Sequence, residues 1–270
     1  MEILGVTVSD NAAEQIRKLC DSFQKPIVYR YENDEQNEGA AGKNAGSNAG
    51  NGAENEAGGE NSYTVHLPSD LDRRTFEANV LYELLHIRQF EAGYPTLCNK
   101  DSILFDRDSE LVNGLGSSIF FGVLDLDVFQ RMRECRYIDA VYRFVEGIYE
   151  SLISYASNVY GDLNDKYTFA HLALDLSKVL YHTSPEQDKQ VREAYQSYPG
   201  LTALSFGMRD MMRQNPPDAP FTAAITMGKL IDILELWDLF YIKIENKKVR
   251  TKTEFRAFIE SGTTRTETCN

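Results

Sequence analysis

After Ser9 or Asp10, either of which can cap a helix N-terminus, the apolar residues Ile16, Leu19 and Phe23 recur at helical spacing until Lys25-Pro26 closes the segment. Ile27-Val28-Tyr29-Arg30-Tyr31 then reads as a strand and Tyr63-Thr64-Val65-His66-Leu67 as a second, expected to pair as a hairpin. Ser69 or Asp70 is placed to cap the next helix, which carries Phe76, Val80, Leu84 and Ile87 and stops at Gly93 and Pro95. A further helical stretch is expected from about Asp108 to Leu124. From Tyr137 to about Asn246 the pattern reads as helices separated by Gly161, Pro185, Pro199-Gly200 and Pro216-Pro217. The fold class this predicts is α+β, with an N-terminal part over 1–135 and a mostly α-helical part over 136–270.

One stretch stands apart from the periodic segments. Residues 33–61 hold no aromatic and no branched aliphatic side chain, so they are expected to form a disordered low-complexity loop. The formal net charge is -13, and about five of those charges belong to this loop, which has Asp34, Glu35, Glu38, Glu54, Glu56 and Glu60 against Lys43.

An anionic chain of this kind is not expected to seek nucleic acid or an anionic membrane. Its one basic run, Lys243, Lys247, Lys248, Arg250, Lys252 and Arg256, reads as a solvated face. With 42% apolar residues the chain can bury a substantial core. Cys20, Cys98, Cys135 and Cys269 are scattered, which suits reduced thiols and a cytoplasmic location. Neither a signal segment nor an apolar run of about 18 residues is evident.

The candidate chemistry lies in the second helix. Tyr82-Glu83-Leu84-Leu85-His86 would read H-E-x-x-H if residue 82 were histidine, the arrangement in which two imidazoles four apart bind zinc and the glutamate polarises water. Downstream, Asp108-Ser109-Glu110-Leu111-Val112-Asn113 places Glu110 24 positions after His86. Together with the order helix, strand, strand, motif helix, these residues resemble the gluzincin branch of the zincin metallopeptidases over roughly residues 1–135. The resemblance implies His86 and Glu110 as zinc ligands facing one another, Glu83 as general base, and Asn113 in the surrounding shell.

Tyr82 departs from the family at the first ligand position. Its phenol has a pKa near 10 and its oxygen sits about 2 Å beyond the place of an imidazole nitrogen. Zinc is therefore expected to bind weakly or not at all, and peptide-bond hydrolysis to be weak or absent. The alternative is a non-catalytic module on the same fold that binds a peptide or protein partner. His171, Asp175 and His182 can also share a helical face, and a polar stripe accounts for them more simply than a metal site does. No Gly-rich phosphate loop and no G-x-S-x-G elbow is present.

Overall fold

A computed structural model describes residues 1–32, 62–100, 109–156 and 163–267. The expected loop over 33–61 lies outside the described residues. The chain is mixed helix and sheet, as α+β requires, and falls into two compact units. One comprises Met1–Ala92 with Val128–Tyr142, the other Gly93–Asp127 with Arg143–Asn270.

The first unit opens with two short antiparallel strands, β1 (Glu2–Ile3) and β2 (Val6–Thr7), joined through Leu4 and Gly5 at φ 50 and 81. Two successive positive φ values make this a primed hairpin turn, for which glycine is well suited. Helix α1 (Asp10–Cys20) is capped by the Ser9 side chain and buries Ile16 and Leu19.

Strands β3 (Ile27–Tyr31) and β4 (Tyr63–Leu67) form where the alternation predicts them. They pair in parallel, Ile27 opposite Tyr63 and Tyr31 opposite Leu67, which corrects the hairpin expectation. Period-two alternation fixes which side chains share a face and carries no information about strand direction. The long segment between these strands provides the crossover length that a parallel pair needs.

Helix α2 (Arg73–Glu91) carries the motif and buries Phe76, Val80, Leu81, Leu84, Leu85 and Ile87. Its N-cap is Asp72, whose carboxylate accepts from the backbone of Arg74 and Thr75, in place of the expected Ser69 or Asp70. Past its end, Gly93 adopts φ 75, as a glycine terminator does.

Two carboxylates anchor this helix. Near its N-terminus Glu77, 1% exposed, accepts from the Ser9 amide at 2.6 Å, the Ser9 hydroxyl at 3.1 Å and the Tyr137 phenol at 2.6 Å. The same charge lies at the start of α1, where the exposed amides of a helix N-terminus favour an anion. At the other end Glu91 accepts from the Gln24 amide and the Tyr63 phenol, both at 2.9 Å.

The second unit is dominated by helices: the Ser109–Asp127 part of α3 (Ser109–Glu134), most of α4 (Ile138–Ala156), α5 (Lys166–His182), α6 (Pro185–Ala194), α7 (Pro199–Gln214), α8 (Pro220–Ile233) and α9 (Lys252–Glu267). Pro185, Pro199 and Pro220 each sit in the first turn of a helix, where the missing amide costs nothing. Among the described residues one helix, Glu110–Glu134 within α3, is long and apolar enough to cross a membrane by length and composition, with a mean hydropathy of 1.4 over 18 residues of which 56% are buried, which corrects the expectation that no apolar run approaches that length.

Strands β5 (Thr96–Asn99), β6 (Phe240–Ile244) and β7 (Lys247–Val249) form an antiparallel sheet in that order. This corrects the helical reading of residues 240–246: Phe240, Ile242 and Ile244 are buried while Lys243 points outward, a strand alternation. Gly228 of α8 lets the Phe255 ring of α9 approach to where a Cβ would meet its Cε2 at 2.1 Å.

Loss of the Glu77 anchor has a calculable direction. Glu77→Ala leaves the Tyr137 phenol and Ser9 amide without their acceptor and is expected to cost about 3 kcal/mol in urea unfolding, with Tyr137→Phe costing about 1 kcal/mol. Burial, then the hydrogen bond to Glu77, push the Tyr137 phenol up to about 12. Its contribution is thus fully present below the unfolded value of about 10 and is lost as pH rises through about 12. A stability profile over that range should flatten in Tyr137→Phe, and an unchanged alkaline limb would contradict the assignment.

Strand direction is tested through the connection. Running back along the five residues of β3 spans about 17 Å at roughly 3.3 Å per residue, beyond a two-residue turn. Replacing 33–61 by about 14 Gly and Ser residues should leave the calorimetric transition in place. Replacement by Asn-Gly should abolish it, and a native-like transition in that protein would refute the parallel pairing.

Candidate functional site

Helix α2 places Tyr82, His86 and Gln89 at i, i+4 and i+7, on one face. His86 is buried, and its Nδ1 lies 3.1 Å from Gln89 Oε1. An amide oxygen only accepts, so the contact is a hydrogen bond when the imidazole carries a proton on Nδ1, which in the neutral ring leaves the lone pair on Nε2. That is the tautomer in which an imidazole serves as a metal ligand, with its other nitrogen held by a hydrogen bond.

The first motif position is used differently. The half-buried Tyr82 ring meets the His86 ring edge to face, with centroids 4.6 Å apart and planes at 81°. It also packs against Phe129 of α3, with ring centroids 6.2 Å apart and planes tilted by 35°. Edge-to-face pairs of this kind are favourable beyond the area they bury. Tyr82, His86 and Phe129 form an aromatic cluster in the first unit, and Gln89 fixes the imidazole within it. Glu83 stands half-buried on the same helix.

The other proposed site residues belong to the second unit. Glu110 is exposed in the first turn of α3, and Asn113, also exposed, accepts a hydrogen bond from the Asn99 side chain. The expected pairing of His86 with Glu110 joins residues of different units. Among the described residues, no three His, Cys, Asp or Glu side chains gather into a group that could hold a metal ion.

The histidines of the helical unit make a second polar constellation. His171 and Asp175 of α5 share a face as the sequence predicts, 3.7 Å apart, and Ser118 of α3 joins them with its hydroxyl 2.9 Å from His171 Nε2. His182 takes a different environment, its ring 5.1 Å from that of Tyr181.

A hydroxyl at that distance from an imidazole has the spacing of a nucleophile and its base. A catalytic triad, however, uses the two ring nitrogens separately, one for the nucleophile and one for the carboxylate. Here Asp175 approaches the same Nε2, accepts from Ser118 at 3.4 Å, and is paired with Lys178 at 3.1 Å. The cluster is a compensated polar patch and lacks the relay geometry.

Gln89, Phe129 and Glu77 are the contributors that the motif reading passes over. Gln89 was detectable, three residues after His86 at helical spacing. Phe129 and the Ser9 and Tyr137 partners of Glu77 come from distant segments and leave no local signal.

The tautomer of His86 is open to direct measurement. Long-range proton–nitrogen correlation spectra of the full chain should show its proton on Nδ1, and Gln89→Leu should release that preference. A proton on Nε2 in the wild-type protein would refute the Gln89 assignment.

Comparison of the chain with protein-family models, curated proteins and solved structures finds no match.

Proposed function

We propose that this chain is a zincin-like, zinc-metallopeptidase-like protein that has given up zinc-assisted peptide hydrolysis, its motif helix retained as a packed structural element. In this reading the helix, strand pair and motif helix of residues 1–135 descend from the gluzincin arrangement. Glu83 stands at the general-base position, and His86 and Glu110 at two of the ligand positions.

The observation that carries the proposal is the Tyr82 ring, engaged edge to face with His86 and packed on Phe129. A catalytic zinc takes three protein ligands and leaves one position for water. The residues present do not fit that need: the first ligand position holds a phenol whose ring is committed to packing. Peptides or proteins are the class of partner that the gluzincin resemblance points to.

Elemental analysis of purified protein tests this. Wild type and Tyr82→Phe should both contain well under about 0.1 zinc per chain and leave casein intact. Tyr82→His should gain up to about one zinc per chain if His86 and Glu110 can join it. At a free zinc concentration about 100 times its Kd that protein would be stabilised by about 2.7 kcal/mol. Stoichiometric zinc in wild type that disappears in Tyr82→Phe would overturn the proposal, because the phenol would then be a working ligand.

A further inference from the structure

We draw no further inference here: the strongest candidate, the apolar groove of the helical unit between the start of α5, α7 and the end of α8, lined by Leu163, Phe169, Leu204 and Ile233, carries nothing, because its Lys166 ammonium already donates to the Glu235 carbonyl and nothing in the structure shows what covers it.

Discussion

The first unit depends on one buried carboxylate. Glu77 is almost wholly removed from solvent, and an ionised group in that position is tolerated only if hydrogen bonds replace its lost hydration. Ser9 and Tyr137 supply them, from chain positions 68 and 60 residues away. The one charge thereby fixes three segments: the start of α1, the first turns of α2 and the turn that follows α3. Arg73 approaches the same carboxylate at 3.9 Å, and Arg74 stacks on the Tyr137 ring at 3.8 Å while pairing with Asp139. Glu91 plays the corresponding part at the far end of α2.

With both ends of α2 held, the face carrying Tyr82, His86 and Gln89 has a defined orientation within its unit. The physical conflict at residue 82 then becomes clear. A histidine there contributes a nitrogen to a metal, whereas a tyrosine contributes a flat apolar ring, and the ring found here is packed on the neighbouring imidazole and on Phe129. In the proposed reading, the residue that takes the place of a ligand also fills the space beside His86 with an aromatic ring.

Much of the architecture was legible in the sequence wherever the information was local. The caps and apolar spacing of α1, the alternation of β3 and β4, and the Gly93 stop after α2 all lie within a few residues of the element they specify. What failed was non-local. The parallel direction of β3 and β4 depends on how the chain travels between them. Phe240–Ile244 became a strand because β5, more than 140 positions earlier in the chain, offers it an edge.

The site was read on the same terms: the i, i+4 relation of Tyr82 and His86 was visible, but the packing of Tyr82 against Phe129 was not. Ser118 beside His171 was equally hidden, being 53 residues away in the chain.

In the proposed reading α2 owes its order to carboxylate anchors and aromatic packing, without a metal. Native-state hydrogen exchange over residues 78–90, followed by mass spectrometry in the presence of excess chelator and in the presence of added zinc, tests it most directly. Protection should be the same in both and should reach the level set by unfolding of the whole unit. Protection that collapses on chelation, with faster exchange centred on Tyr82 to Gln89, would contradict the account.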